Sequence, residues 1–194
     1  GECRDKDVTR TSRALPALFA TELSLATLLA SWGLRPAAMI GHSLGEYVCA
    51  CLAGVMSLES ALELVATRAL LFEDLAPGAM LSVAMDEVDL EAIFSPYLSI
   101  AAANAPGMTV VAGPTREIDT LAAELDGKSI QHTRVPIAVA AHSKGVEPIL
   151  DRFARRVETI ELSEPTLPFV SNVTGRWVEP GQVSESGYWV DHLR

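Results

Sequence analysis

Apolar residues recur at helical spacing between positions 15 and 32: Leu15, Leu18, Phe19, Leu25, Ala26, Leu29 and Trp32, with Glu22 in the same row. Gly33 stops that helix, and Pro36 opens a short apolar run over 37–40 that predicts the buried end of a strand. A helix is predicted to follow over 46–52, closed by Gly54, and another over 57–74. On the latter, Leu58, Ala61, Leu62, Val65, Ala69 and Phe72 form one face, with Glu59, Glu63 and Thr67 opposite. The texture changes at residue 78. Strands are predicted over 79–84, 98–103, 109–112 and 129–135, and helices over 87–94 and 117–125. The resulting order, βαββαβ, is that of a ferredoxin-like unit inserted into a larger α/β domain. The insert is expected over 77–137, and the larger domain over 1–76 and 138–194. A helix over 146–157 follows His142, and a last strand over 168–172 leads into a polar, glycine-containing loop to about 187. No internal repeat interrupts this pattern.

Between the strand at 37–40 and the helix at 46 lies Gly41-His42-Ser43-Leu44-Gly45, a Gly-x-Ser-x-Gly sequence. Alone it occurs by chance in loops. With a strand before it and a helix after it, it predicts a nucleophile elbow, a sharp turn that lifts the serine hydroxyl out of the fold. The two glycines allow a tight turn and close passage of neighbouring chain. The helix N-terminus behind Ser43 would favour developing negative charge. The chemistry this suggests is acyl transfer through a serine ester.

Composition narrows the picture. In 194 residues, 49% are hydrophobic and 21% charged, as in a globular protein with a substantial core. A formal net charge of −10 argues against non-specific binding of nucleic acid or anionic membrane. No signal peptide and no apolar run of membrane-spanning length is expected, so the chain reads as cytoplasmic. Cys3, Cys49 and Cys51 show neither a disulfide framework nor metal spacing, which fits a reducing compartment. The histidines show no zinc pattern, and no metal site is expected.

A serine needs a base to take its proton. Four histidines are candidates: His42, His132, His142 and His192. His42 adjoins Ser43, so its side chain should point away. His132 falls mid-strand, where packing explains it. His142 stands between the apolar segment 137–141 and a helix, a junction that can aim a side chain into a cleft. The spacing does not choose among the remaining three. Arg68 borders the apolar stripe of its helix. The plain reading is an arginine snorkelling at the edge of a core; the functional one is a guanidinium gripping a carboxylate. Leu44 could offer its backbone N–H to an oxyanion, or simply pack.

Several separated motifs then point the same way. Leu15-Pro16-Ala17-Leu18-Phe19-Ala20, Ser31-Trp32-Gly33-Leu34-Arg35-Pro36 and Gly41-His42-Ser43-Leu44-Gly45-Glu46 come first. Arg68, Pro77-Gly78-Ala79-Met80, Asn104-Ala105-Pro106-Gly107 and Ala141-His142-Ser143 follow. Ser171-Asn172-Val173-Thr174-Gly175 and Tyr188-Trp189-Val190-Asp191-His192-Leu193-Arg194 close the chain. In this order, over nearly the whole length, the sequence resembles the acyltransferase domain of modular polyketide synthases. That domain is similar to the malonyl-CoA:acyl-carrier-protein transacylases of fatty acid synthesis. The resemblance implies an α/β fold, with a hydrolase-like core built on a parallel sheet and a ferredoxin-like subdomain.

It also implies roles. Ser43 matches the acylated nucleophile and His142 the general base. Arg68 matches the arginine that pairs with the malonyl carboxylate, and Leu44 the residue donating half of the oxyanion hole. His192 matches the position whose main-chain carbonyl orients the base, so no acidic third member is needed. No bound cofactor is implied, because the acyl group travels on coenzyme A and on phosphopantetheine. The implied partners are a malonyl-type acyl-CoA, an acyl carrier protein and neighbouring synthase domains.

Two departures matter. The family opens with a strand and a Gly-Gln-Gly-rich loop that gives the second oxyanion donor, and nothing in 1–13 resembles it. The chain also stops before the family's closing segment, so it is expected to be part of a larger synthase. Selectivity signals are mixed. Leu44 is similar to malonyl-selective members. Ala141, where such members carry phenylalanine before the histidine, leaves room for an α-substituent. A rival reading is a serine esterase or thioesterase of α/β-hydrolase type, which needs an acid such as Asp119 or Asp126 and gives Arg68 no role. Another is a fragment that folds without turnover.

Overall fold

The computed structural model describes residues 10–194. Along the chain the elements are α1 (Thr11–Ser31), β1 (Met39–Ile40), α2 (Gly45–Leu52), α3 (Leu58–Glu73), β2 (Gly78–Val83), α4 (Glu87–Glu91), β3 (Ser99–Ala105), β4 (Met108–Pro114), α5 (Thr115–Gly127), β5 (His132–Val135), a 3-10 turn (Lys144–Val146), α6 (Glu147–Val157), β6 (Phe169–Val170) and α7 (Ser186–Leu193). They form an α/β fold with a parallel and an antiparallel sheet. Two compact units divide the chain: one holds the described residues up to Asp74 with Asp151–His192, the other Leu75–Leu150 with the last two residues.

In the first unit, α1 starts earlier than the apolar recurrence predicts because its first turn is satisfied from elsewhere. Glu73 Oε1 accepts the Ser12 N–H at 3.2 Å, and the Thr11 hydroxyl donates to the Ala69 carbonyl at 3.1 Å. Both partners lie on α3. The expectation of no apolar run long enough to cross a membrane needs correcting. α1 has 21 residues, and an 18-residue stretch of it has a mean hydropathy of 1.5, sufficient by length and composition alone. Only Arg13 and Glu22 carry charge within it; alanine, threonine and serine fill the positions between its leucines, so amphipathic recurrence and span-like composition coincide.

The buried face of α3 also differs from the predicted one. Leu64 and Leu71 turn inward with Ala61, Val65, Arg68, Ala69 and Phe72, while Leu58 and Leu62 are 48% and 42% exposed. Two adjoining apolar rows exist on this helix, and periodicity cannot say which one finds a partner. The Ser57 hydroxyl caps it by accepting the Ser60 N–H at 3.1 Å. β1 pairs in parallel with β6, Met39 opposite Phe169 and Ile40 opposite Val170. Phe19, Tyr47, Phe72, Phe153, Phe169 and Trp189 are the large buried side chains of this unit. Each contributes about 1.5–3 kcal/mol through burial. Trp189 and Tyr188 belong to α7, a helix that begins where the sequence predicts loop; Gly187 near its start and its eight-residue length hide it from a periodicity search.

The second unit is a four-stranded antiparallel sheet in the order β3-β4-β2-β5 with α4 and α5. Alternate residues of β2, Ala79, Leu81 and Val83, pack with Leu90 of α4 and Ile118, Leu121 and Leu125 of α5. Past β5 the chain returns to the start of β2. The Gly78 N–H donates to the Ala138 carbonyl at 3.1 Å, and a Cβ on Gly78 would stand 2.5 Å from the Ala140 nitrogen. Glycine is required there so that this strap can lie down.

Candidate active site

Ser43 stands on the turn from β1 into α2 with φ 50°, a left-handed backbone that side chains disfavour. Gly41 makes the turn possible. A Cβ there would lie 2.1 Å from the Gly45 carbonyl carbon and 2.3 Å from the Glu46 nitrogen. Gly45 is different: a Cβ would meet only the Glu22 carboxylate, at 3.8 Å. Close approach therefore demands the first glycine of the motif and not the second. Three i+3 bonds of 3.0 Å, to the carbonyls of His42, Ser43 and Leu44, start α2. The Leu44 N–H belongs to the unladdered first turn of that helix.

Arg68 reaches the serine. Its Nη2 donates to Ser43 Oγ at 3.1 Å. The residue is 2% exposed, and the guanidinium carbon lies 5.6 Å from the Tyr47 ring centre and 5.3 Å from that of Phe72. Burial holds its pKa below the usual arginine value, against the opposing effect of Tyr47. Tyr47 is itself pushed up to about 12 by burial. This is a cation held inside the fold over two aromatic faces rather than one snorkelling from a core edge.

Behind the elbow lies a polar cluster to which sequence reasoning assigned no role. The Asn172 side chain spans the turn: Oδ1 accepts the Ser43 N–H at 2.6 Å and Nδ2 donates to the Gly41 carbonyl at 2.7 Å. The Asn172 N–H donates to Glu46 Oε2 at 2.8 Å, and the Tyr188 hydroxyl donates to Glu46 Oε1. The Ser171 hydroxyl, 2.8 Å from that of Tyr188, accepts the Val173 and Thr174 N–H groups. One signal was available. Glu46 opens the run Tyr47-Val48-Cys49-Ala50, all buried, and an acid inside an apolar helix must find donors.

His192, buried in the last turn of α7, puts Nε2 3.4 Å from Glu46 Oε2 and its ring edge-on to Tyr47. Burial pushes its pKa below the ordinary 6.5, with Glu46 opposing. Above 6.5 the imidazole is neutral whether the chain is folded or not. As pH falls below that value the unfolded chain binds a proton that the folded one resists, so stability drops until the folded pKa is reached. Thermal unfolding followed between about pH 7.5 and 5 should show the midpoint falling more steeply for the wild-type chain than for His192→Gln. Equal slopes would refute this.

His142 and Ala141 belong to the second unit. His142 also has a left-handed backbone, φ 54°. The turn is held by the Ser143 hydroxyl, which donates to the Ala140 carbonyl at 2.7 Å and accepts the Gly145 N–H at 3.0 Å. Asp119 and Asp126, the acids an esterase would need, lie on α5 in the same unit. Asp119 pairs with Arg134, and Asp126 is 3.8 Å from His132. His42 lines a cleft of about 820 Å³ with Glu22, Met39 and Cys49, which Ser43 does not line. Cys49 and Cys51 are free thiols; Cys3 lies outside the described residues, as does most of the 1–13 segment. Thus Ser43, Leu44, Arg68 and His192 share the first unit, and Ser43 and Arg68 are bonded directly.

The site thus presents a serine raised on a strand-to-helix turn of an α/β fold, with a buried arginine on its hydroxyl. The chain belongs to the acyl transferase domain family, whose sequence pattern matches residues 3–194. It is 38% identical over 187 residues to a phenolphthiocerol/phthiocerol polyketide synthase of Mycobacterium tuberculosis, covering 96% of this chain and 13% of that protein. Among solved structures, the acyl transferase domain of SpnD, in complex with 2-(pent-4-yn-1-yl)malonyl, is 44% identical with a TM-score of 0.90 over 94% of this chain and 45% of that one. Malonyl CoA-acyl carrier protein transacylase of Burkholderia pseudomallei is 29% identical with a TM-score of 0.89, over 99% of this chain and 68% of that one. The chain therefore spans a small part of the mycobacterial synthase and less than half of the solved SpnD domain.

Proposed function

We propose that this domain moves a malonyl-type acyl group from coenzyme A to the phosphopantetheine thiol of an acyl carrier protein, within a polyketide synthase. Ser43 Oγ attacks the thioester carbonyl while His142 accepts its proton. The Leu44 N–H stabilises the oxyanion, and the coenzyme A thiolate leaves, taking up the proton from His142. The carrier thiol then attacks the Ser43 ester by the same route in reverse. The His192 main-chain carbonyl is assigned to orient His142. Arg68 binds the free carboxylate of the acyl group, and Ala141 leaves space for an α-substituent. The single observation that carries this reading is the buried Arg68 guanidinium bonded to the hydroxyl of a left-handed Ser43. The esterase alternative gives that cation no task.

We read the core, 1–76 and 138–194, as hydrolase-like and the segment 77–137 as ferredoxin-like; the βαββαβ order and the strand order β3-β4-β2-β5 support the second assignment. We read the location as cytoplasmic; the bonds of Thr11 and Ser12 to α3 and the charge of Glu22 at mid-length weigh against α1 as a membrane span. The test is intact-mass spectrometry after incubation with malonyl-CoA or methylmalonyl-CoA. The chain should gain one acyl group, mapped to Ser43, and Ser43→Ala should gain none. An acyl group retained on another residue, or none at all on the wild type, would overturn the proposal.

A further inference from the structure

We infer that Asn172 is a positioning residue for the nucleophile, its side-chain amide clamping the elbow and Glu46 fixing the amide in place. The inference rests on reading Ser43 as the nucleophile. The turn presents two backbone groups to the same side: the Ser43 N–H, a donor, and the Gly41 carbonyl, an acceptor. One planar amide answers both, at 2.6 and 2.7 Å. It crosses 129 residues of sequence to do so. The clamp closes the arc from Gly41 to Ser43, the stretch whose backbone is left-handed at the serine. It also engages the Ser43 N–H itself, which leaves the Leu44 N–H as the elbow donor available to an oxyanion.

Asn172 is held in turn. Its main-chain N–H is bonded to Glu46 Oε2, while Tyr188 holds Oε1 and His192 stands 3.4 Å from Oε2. A carboxylate on α2 thus ties the loop at 171–174 back to the helix that the nucleophile begins. The clamp's bonds run to the Ser43 N–H and the Gly41 carbonyl, so it governs where the serine oxygen sits.

The chemistry of the clamp is specific. It needs an acceptor and a donor side by side. Leucine offers neither. Ionised aspartate offers two acceptors, one of them against the Gly41 carbonyl; protonated aspartate restores one of each. The experiment measures acylation of Ser43 by malonyl-CoA with the full chain, from pH 5 to pH 8, for wild type, Asn172→Leu and Asn172→Asp. At pH 8 both variants should lose about 10²-fold in kcat, as for an ångström-scale misplacement, with KM for the acyl-CoA unchanged. Towards pH 5 the Asn172→Asp rate, divided by the wild-type rate at the same pH, should recover; the Asn172→Leu ratio should not. Other charged or titratable groups around the clamp, Glu46 on α2, Arg68 on α3, and Tyr188 and His192 on α7, are common to all three chains and cancel in these ratios.

A wild-type chain acylated on Ser43 with Asn172→Leu equally fast would overturn the clamp and leave the proposed function standing. A wild-type chain not acylated on Ser43 would overturn both. Should Asn172→Leu fail to fold, the Asn172→Asp profile decides alone, and an acid-independent ratio refutes positioning.

Discussion

Arg68→Ala is expected to lower malonyl loading of Ser43 by about 10²- to 10³-fold, most of it in KM, while a neutral acyl-CoA such as acetyl-CoA is loaded at least as well as before. The expectation follows from desolvation. Arg68 is 2% exposed, so the transfer of its charge out of water has already occurred when the chain folds. On the proposed role, a dicarboxylic acyl group brings a carboxylate to this guanidinium; a neutral one does not. Removing one member of a buried pair costs about 3–5 kcal/mol, which corresponds to a loss of that order. The Tyr47 and Phe72 rings beside the guanidinium remain after substitution, so the helix keeps part of its packing. The measurement is steady-state acylation with both acyl-CoA types. Malonyl loading within about threefold of wild type would remove Arg68 from the substrate site.

Gly41→Ala should have the largest effect on stability. The added methyl group meets main-chain atoms at 2.1 and 2.3 Å, and backbone at the head of α2 cannot swing aside as a flexible side chain would. A destabilisation of about 3 kcal/mol or more is expected, the upper end for overpacking. Gly45→Ala, whose methyl group would meet only a carboxylate at 3.8 Å, should change stability by less than about 1 kcal/mol. Urea unfolding of the two variants checks the contrast. Equal losses would mean that the elbow does not depend on the close approach at Gly41.

The linear pattern made the elbow and the arginine visible, because both are local: a motif between a strand and a helix, and a cation in an apolar row. The βαββαβ order of elements in the second unit was legible for the same reason. What stayed hidden depends on distant partners. The start of α1 is set by Glu73, and the inward row of α3 by which of two apolar stripes meets a neighbour. α7 is short, begins with Ser186-Gly187, and gains its buried Trp189 from tertiary packing. Asn172 and Glu46 stand within recognisable motifs, yet their bonds to each other and to the turn span more than a hundred residues, beyond any spacing rule.

Ser43 and the histidine assigned as its base share an awkward posture, φ 50° and 54°, where glycine alone would rest easily. Drift towards comfort therefore runs directly against chemistry in this chain. Glycine at either position would relax that turn and also remove the side chain to which the proposed chemistry is assigned, so at these two positions tension and proposed reactivity go together.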